Sequence, residues 1–226
     1  MKFSSETLDI FKAISNMNAK SPVNGAVFKE GNRIKARRYK SDMPVLYASI
    51  AETFPKDFAV YDLPKFVSLF SVLEDPDVEF EDNYIIFKSG KQKAKIRYVA
   101  PNLIESDQNW FNKEIQMPSR DFSCQIDKKT LKTILDATSM FQAPQVAFIG
   151  DGEKVLLTTY NIKDPKADKL EVEVGESSWN FQVIVDMMLV QFLKLDYQVT
   201  LCKRGLLEWK ADNLTYYITM SEKSKV

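Results

Sequence analysis

The acidic stretch EDPDVEFED at residues 74–82 is where residue type and spacing most directly suggest chemistry. Carboxylates at Asp75, Asp77 and Glu79 could bind a divalent cation and support metal-dependent hydrolysis, as in a nuclease. A calcium-binding loop that began at Asp75 would need glycine where the sequence has Phe80. The stretch is therefore not a calcium loop, and no second motif supports a nuclease.

A strand explains the same acidic residues more simply. Side chains alternate between the two faces of a strand, so the carboxylates of Asp77, Glu79 and Glu81 would share one face. Val78 and Phe80 would lie on the other. We interpret this segment as a strand with a solvated acidic face.

The rest of the chain has few residues suited to catalysis. Histidine is absent from the 226 residues, which removes the commonest general base and metal ligand. The seven glycines form neither GxGxxG nor GxxxxGK[ST], so no phosphate-binding loop is visible. Cys124 and Cys202 form neither a metal-binding spacing nor a disulfide framework, which is typical of a reducing cytoplasm. We predict a protein that is not an enzyme and that needs no metal or cofactor.

Charge and hydropathy exclude further classes. Lysine plus arginine number 31 and aspartate plus glutamate number 31, so the formal net charge is zero, which excludes a strongly basic, histone-like nucleic-acid binder. The opening segment MKFSSETLD lacks the apolar run of a signal peptide. The longest apolar run, MMLV at residues 187–190, is far too short to cross a bilayer. We predict no membrane association.

Two strand-like segments of opposite charge, KAKIRYV at residues 93–99 and KLEVEV at residues 169–174, suggest an interaction surface. The residues concerned are Lys93, Lys95 and Arg97 on one face of the first segment, and in the second Glu171 and Glu173 on one face with Val172 on the other. Each could simply be a half-solvated strand of its own sheet. If both are edge strands, strand pairing between copies would satisfy their backbone groups and match their charges. Lys169 weakens that match because it lies on the acidic face.

A third charged segment, KARRYK at residues 35–40, has two interpretations. Basic side chains on an exposed edge strand deter aggregation, and they could also contact nucleic acid.

The helix-like segments of this chain occur as a repeat. Residues 7–15 read TLDIFKAIS and residues 130–139 read TLKTILDATS, while DLPKFVSL begins at Asp62 and DMMLVQFL begins at Asp186. Each segment places apolar residues at helical spacing behind a serine or aspartate that can cap a helix. The predicted caps of the first and third helices are Ser4 or Ser5 and Asp127.

Turn signals separate strand-like runs in the same order in both halves: a helix, three strands, a strand leading into a second helix, and three strands. We predict an α+β fold of two tandem duplicated domains, each with two helices packed on antiparallel sheet. The predicted domains are residues 1–100 and 121–226, joined by a linker over residues 101–120. Trp110 and Phe111 are predicted to pin this linker to the sheet beneath it.

The faces of the four helices that should point away from the sheets are polar, with a modest excess of lysine. They include Lys12, Asn16, Lys65, Lys129, Lys132 and Gln191. An ordinary solvated surface would explain each of these residues singly. Together they would suit loose, sequence-independent contact with phosphates, because no helix with base-reading Arg or Asn residues accompanies them.

Three segments carry a family resemblance: MKFSSETLDIFKAI at the start, DFAVYDLPKFVSLFSVLED at residues 57–75, and NFQVIVDMMLVQFLKLDYQVTL at residues 180–201. In this order and spacing they resemble the DNA polymerase sliding clamps, and most of all the processivity clamps of large lytic tailed bacteriophages. Those clamps are related in fold to the trimeric eukaryotic and archaeal clamps. The resemblance covers the whole chain apart from a diverged linker.

The resemblance implies a non-enzymatic homotrimeric ring of the DNA-clamp fold, with helices lining a hole for duplex DNA. It implies that the segments 93–99 and 169–174 pair between neighbouring subunits. The implied partners are double-stranded DNA bound without sequence preference, the phage replicative DNA polymerase, an ATP-driven clamp loader and, in some phages, late-transcription factors. The implied location is the cytoplasm of the infected bacterial host.

Partner peptides of such clamps dock in an apolar pocket beneath the linker and beside the C-terminal strand. By this resemblance the pocket candidates are Met43, Pro44, Val45, Leu103, Ile104 and Met220. The same side chains could instead seal the seam between the domains. A duplicated structural or assembly protein of a phage particle, without DNA-encircling activity, stays open as the alternative function.

Overall fold

A computed structural model describes residues 1–19, 21–186 and 193–226. The chain divides into two compact units, Met1–Glu114 (unit 1) and Ile115–Val226 (unit 2). The division lies inside the segment predicted as a linker. No helix in the described ranges is both long enough and apolar enough to cross a membrane.

The described part of unit 1 contains two α-helices, seven strands and two short 3-10 helices. In chain order they are α1 (Ser5–Met17), β1 (Ala26–Phe28), β2 (Gly31–Arg37), β3 (Val45–Phe54), β4 (Phe58–Val60), α2 (Leu63–Val72), β5 (Asp77–Phe80), β6 (Tyr84–Ser89), β7 (Gln92–Arg97) and the 3-10 helices Pro101–Leu103 and Gln108–Asn112. Strand β1 pairs with β4, β2 pairs with β3, and β5, β6 and β7 form an antiparallel sheet in that order.

The start of α1 is fixed by two side chains, because the first backbone N–H groups of a helix have no partner within it. The Ser4 hydroxyl accepts a hydrogen bond from the Thr7 N–H at 3.3 Å, as the sequence predicted for an N-cap. From β3, Glu52 accepts hydrogen bonds from the Ser4 N–H and, at 2.5 Å, from the Thr7 hydroxyl. Helix α1 is therefore held to the sheet at its first turn as well as along its apolar face.

The core of unit 1 is a connected cluster of aromatic rings. The phenylalanine cluster consists of Phe3, Phe11, Phe28, Phe54, Phe58, Phe66, Phe70 and Phe87, all buried. Phe11 of α1 lies 5.1 Å from Phe28 and 5.7 Å from Phe66 of α2, ring centre to ring centre, in edge-to-face contacts. Such contacts favour one arrangement of the two helices beyond simple burial of apolar area.

The described part of unit 2 contains one α-helix and eight strands. In chain order they are β8 (Phe122–Ile126), α3 (Lys128–Met140), β9 (Gln145–Asp151), β10 (Lys154–Tyr160), β11 (Glu171–Glu176), β12 (Asn180–Asp186), β13 (Tyr197–Cys202), β14 (Leu206–Lys210) and β15 (Leu214–Thr219). One antiparallel sheet has the order β11-β10-β9-β12. In the other, β13 lies between β8 and β14, and β15 pairs with β14.

The core of unit 2 is mainly aliphatic, with one aromatic group at its centre. Trp209 is buried, and its ring centre lies 5.8 Å from that of Phe148 and 5.9 Å from that of Tyr197. Leu157, Val183 and other valine, leucine and isoleucine side chains around them are fully buried.

The predicted repeat is confirmed as an order of elements. In each unit a helix is followed by three strands and a strand that leads out of them, and three further strands end the unit. The second helix of the later half was predicted from Asp186 to Leu193, and residues 187–192 lie outside the described residues. Strand β8 precedes α3, and in unit 1 Met1 takes the corresponding place through hydrogen bonds of 2.7 Å in both directions with Val78 of β5.

Candidate functional site

The acidic stretch at residues 74–82 forms a solvated strand face, as predicted. Asp77 and Glu79 of β5 are exposed, while Val78 between them is buried. Asp75 lies 2.6 Å from the Lys2 ammonium, and Glu79 lies 2.6 Å from that of Lys88. Within the described ranges no three or more His, Cys, Asp or Glu side chains are placed to hold a metal ion.

In unit 1 the predicted DNA-facing residues lie on the surfaces of two helices that pack against each other. Lys12 of α1 and Lys65 of α2 are exposed, and Asn16 of α1 is half-buried. The Lys12 ammonium lies 2.9 Å from the Asp9 carboxylate, one turn earlier on the same helix. That ion pair reduces the positive charge that α1 presents to an anion.

Helix α3 presents the corresponding residues of unit 2. Its N-cap is Asp127, as predicted, with a hydrogen bond of 2.6 Å from the Thr130 N–H. Lys129 and Lys132 are exposed, and Lys132 lies 2.5 Å from Asp136. Gln191, predicted on the fourth helix, lies outside the described residues.

These helix surfaces carry a weaker positive field than their lysine count suggests. Lys12 and Lys132 are paired within their own helices, whereas Lys65 and Lys129 have no ion-pair partner among the described residues. Exposed lysines of this kind attract phosphates without reading bases, and added salt screens the attraction.

The two oppositely charged segments are both edge strands. Strand β7 ends the β5-β6-β7 sheet, and β11 ends the β11-β10-β9-β12 sheet. The predicted faces are confirmed, because Lys93, Lys95, Arg97, Glu171 and Glu173 are exposed and Val172 is half-buried. Each edge leaves a row of backbone N–H and C=O groups without a strand partner in its own sheet.

The first part of the predicted linker, residues 101–114, is held against β2 by cations and one indole ring. The Arg37 guanidinium donates two hydrogen bonds to Glu105, of 2.7 and 2.8 Å, and lies 4.8 Å from the centre of the Trp110 ring. The Lys35 ammonium lies 4.3 Å from the same ring centre and donates hydrogen bonds to the Trp110 and Lys113 carbonyls. Trp110 is buried, so the prediction that it pins the linker is confirmed.

The Arg37–Glu105 pair is the strongest electrostatic feature of this region. Both side chains are less than one fifth exposed, and two parallel hydrogen bonds join them in the geometry that guanidinium and carboxylate groups prefer. The hydrogen bonds to Glu105 raise the pKa of Arg37 despite its burial. Burial and the nearby Arg37 charge lower the pKa of Lys35.

Neither interpretation of KARRYK fits Lys35 and Arg37. Both side chains are half-buried against the linker, so they serve to hold it instead of guarding an open edge or facing nucleic acid. Sequence reasoning also missed Glu105, since nothing in the sequence distinguishes it from Asp107 and Glu114 of the same linker.

The predicted peptide-pocket residues are brought together only in part. A surface cavity of about 150 Å³ is lined by Arg37, Tyr39, Lys40 and the segment 102–106. That segment contributes Leu103, which is 56% exposed, and the half-buried Ile104.

The other four pocket candidates do not line this cavity. Pro44 and Val45 are buried, and Met43 is half-buried. Met220 of unit 2 is half-buried after β15, where its N–H donates a hydrogen bond of 2.9 Å to the Gly205 carbonyl.

Comparison with curated proteins finds three phage relatives that match almost end to end. The chain is 21% identical to the sliding clamp of Vibrio phage KVP40, covering 96% of this chain and 98% of that protein. It is 24% identical to the sliding clamp of Escherichia phage RB69 and 22% identical to that of Enterobacteria phage T4, each match covering 99% of this chain and 98% of the relative. No family model matches the chain.

Solved structures share the fold at low sequence identity. The DNA polymerase III β subunit of Thermotoga maritima superimposes with a TM-score of 0.67 at 16% identity, covering 97% of this chain. A. fulgidus PCNA, solved with the C-terminal region of FEN-1, superimposes with a TM-score of 0.66 at 12% identity, covering 96% of this chain and 97% of that chain. The chain spans 63% of the length of the Thermotoga protein. The resemblance predicted from the three sequence segments is confirmed, and the fold is that of the DNA clamps.

Proposed function

We propose that this chain, a relative of the phage sliding clamps over its whole length, is a DNA sliding clamp that tethers a replicative polymerase to its template. The observation that carries the proposal is the near-complete mutual coverage with three phage clamps, together with the duplicated clamp fold. In this function the protein stays on DNA because it encloses the duplex, and no catalytic group is required.

The proposed assembly is a homotrimeric ring formed head to tail. A head-to-tail contact uses two different, complementary surfaces on each copy. Such contacts close into a ring when the rotation that relates one subunit to the next is a whole fraction of 360°. The edge strands β7 and β11 supply such surfaces, one basic and one acidic. The proposed interface residues are Lys93, Lys95 and Arg97 on one subunit and Glu171, Val172 and Glu173 on its neighbour.

The proposed inner surface is made of the helices, with Lys12, Asn16, Lys65, Lys129, Lys132 and Gln191 towards DNA. The intrahelical pairs of Lys12 and Lys132 support this assignment, because a ring that slides should attract phosphates only weakly. Binding without sequence preference is the corresponding prediction.

The proposed partner surface is centred on the cavity that Leu103 and Ile104 line. Met43, Pro44, Val45 and Met220, which do not line that cavity, stay proposed members of the same surface. A structural neighbour, the archaeal PCNA, was solved with the C-terminal region of FEN-1, which supports peptide docking as a mode of recognition. The exposed Leu103 beside a polar-rimmed cavity suits a peptide with an apolar anchor. The proposed partners are the phage DNA polymerase, an ATP-driven clamp loader and late-transcription factors, in the cytoplasm of the infected host.

The proposal also sets the domain limits. Residues 1–100 and 121–226 would each form one clamp domain, and residues 101–120 would join them. The docking of residues 101–114 on β2 supports a linker that is fixed at its start.

A topological experiment tests the function. The protein is incubated at high concentration with nicked circular duplex, so that rings can open and re-form around it, and is then separated from free protein by gel filtration. Protein should stay with the circles, should be released when a restriction enzyme linearises them, and should have a trimeric mass by light scattering in the absence of DNA. Equal retention on circular and linear DNA, or no retention on either, would contradict the proposal.

The charge-reversed variant Lys95→Glu/Arg97→Glu is a sharper version of the same test. It should lose both the trimer and the retention, and pairing it with the Glu171→Lys/Glu173→Lys chain should recover association between the two variants. Loss of retention with the trimer intact would argue against enclosure as the mode of binding.

A further inference from the structure

The two edges assigned to the subunit contact differ in how their charges are neutralised. On β7, Lys93, Lys95 and Arg97 have no carboxylate within ion-pair distance among the described residues, and Lys95 lies 5.6 Å from the centre of the Tyr84 ring. The cations of the basic edge are therefore not held in ion pairs within the described part of their own unit.

The acidic edge is already partly neutralised from within its own unit. The Lys154 ammonium of β10 lies 2.9 Å from the Glu173 carboxylate, and the Lys169 ammonium lies 2.6 Å from that of Glu171. All four side chains are more than one third exposed, so the pairs lie at the surface of the edge and not beneath it.

The surroundings of Lys154 place it inside the acidic surface of β11. Lys154 is opposite Glu176 in the strand register, next to a β-bulge between Val155 and Leu156. The hydrogen bond with Glu173 is the main cause that raises the pKa of Lys154, and Asp151 and Glu176 add to it. Lys154 is thus fully charged at neutral pH, within reach of the carboxylates that face outward.

We propose that Lys154 and Lys169 weaken the subunit contact by occupying, within one protomer, the carboxylates that would otherwise pair with the neighbour's cations. This inference rests on the proposed ring and concerns how strongly its subunits are held together. When β11 meets β7 of the next copy, the neighbour's three cations compete with Lys154 and Lys169 for the carboxylates of β11. The two lysines also repel those cations directly.

Such a device has a physical use in a protein that encloses DNA. A ring held by fully unopposed opposite charges would open slowly, whereas one with two competing lysines opens and closes more readily. Because ion pairs at exposed sites are weak and screened by salt, the competition adjusts the contact without abolishing it.

The test replaces each lysine by methionine, which keeps much of the apolar stem but removes the charge. The variants are Lys154→Met, Lys169→Met and the double substitution. The control is Lys210→Met, which changes net charge equally at an exposed position at the end of β14. Sedimentation equilibrium measures self-association of the intact chain from low to high salt, and thermal unfolding followed by circular dichroism checks that each variant folds.

Each single variant should tighten each subunit contact about two- to fivefold relative to the unaltered chain, as expected for one exposed ion-pair interaction. The double variant should gain more, and its association should fall more steeply with added salt. Lys210→Met should match the unaltered chain.

The possible outcomes separate this inference from the function on which it rests. If the unaltered chain forms trimers and the lysine variants associate equally or more weakly, the inference is wrong and the ring stands. An equal gain in Lys210→Met would assign the effect to net charge and would also overturn the inference. If neither the unaltered chain nor the double variant associates, both the proposed ring and the proposed role of the two lysines are wrong.

Discussion

Unit 1 and unit 2 repeat one order of elements around chemically different cores. In unit 1, α1 packs into a cluster of eight phenylalanine rings, whereas α3 of unit 2 packs through Leu131, Ile134 and Ala137 into an aliphatic core. The helix sequences agree in the spacing of their buried positions and differ in what fills them. The comparison teaches that the spacing of buried positions specifies the fold, while the side chains at those positions determine the stability of each unit.

The largest expected difference between the units lies at the centre of their first helices. Aligning residues 7–15 with residues 130–138 places Phe11 opposite Ile134, and both are almost fully buried. Phe11→Ala should lower the stability of unit 1 by about 3–5 kcal/mol, and Ile134→Ala should lower that of unit 2 by about 2–5 kcal/mol. We expect the Phe11 change to be the larger, because it also removes ring contacts with Phe3, Phe28 and Phe66.

Native-state hydrogen exchange can follow the opening of each unit separately. Phe11→Ala should increase exchange in β3 and α2 and leave β9 and β13 unchanged. Equal losses of protection in both units after either substitution would show that the two cores are not independent.

A smaller difference is expected at two glycines that pack closely. A Cβ added at Gly25 would lie 2.5 Å from the Val60 carbonyl oxygen and 2.6 Å from Cδ1 of Ile104, whereas one at Gly175 would first meet the Phe122 ring at 3.3 Å. Gly25→Ala should therefore cost about 1–3 kcal/mol by overpacking. Gly175→Ala should change stability by less than about 1 kcal/mol, since a small ring movement relieves the contact and alanine restricts the unfolded chain.

Urea unfolding of the two glycine variants gives this comparison directly. Because Ile104 belongs to the linker, Gly25→Ala should also speed proteolysis within residues 101–105. If stability falls as predicted but proteolysis is unchanged, the added methyl group displaces β4 and not the linker.

The smallest expected difference concerns acid and the first turn of each helix. Burial raises the pKa of Glu52, but hydrogen bonds from Thr7 and from the Ser4 N–H outweigh burial, and the net pKa lies below its ordinary value. A carboxyl with a lowered folded-state pKa adds stability above its unfolded value of about 4.3, and this stability is lost as pH falls through the folded pKa. Unit 1 should lose this contribution below about pH 4.3.

Glu52→Gln tests this assignment. The Ser4 N–H and the Thr7 hydroxyl bond different carboxylate oxygens, and glutamine replaces one of these oxygens by an NH2 group, which donates and cannot accept. Stability at pH 7 should therefore fall by less than about 1 kcal/mol at this partly exposed site. The loss should shrink as the pH is lowered. Asp127→Asn in unit 2 is the matched change, and it should have little effect at pH 7 because asparagine caps helices as well as aspartate does. A Glu52→Gln loss that is the same at pH 3 and pH 7 would contradict the charge-based explanation.

The sequence predicted the elements well because their signals are local. The caps Ser4, Asp62 and Asp127 all begin helices. As the turn signals predicted, short turns join the antiparallel pairs β5-β6, β6-β7, β9-β10, β13-β14 and β14-β15. Alternation correctly placed the charges of β5, β7 and β11 on exposed faces. Each of these features depends on a few neighbouring residues and on backbone geometry.

The linker and its surroundings were predicted less completely. That Trp110 pins the linker followed from an aromatic residue in a connector, but Glu105 as the partner of Arg37 did not. The pairing of Lys154 with Glu173 was also not anticipated, because the two residues are 19 positions apart and meet only through the register of β10 with β11.

By itself the sequence determined the order of helices and strands, their duplication, their caps and which faces carry charge, because period and turn chemistry act over a few residues. Only the tertiary structure decided that β7 and β11 are sheet edges, that Lys35 and Arg37 enclose Trp110, and that the acidic edge is half-neutralised. These outcomes depend on which distant strands become neighbours. That choice follows from burying all the apolar faces together, and no local pattern records it.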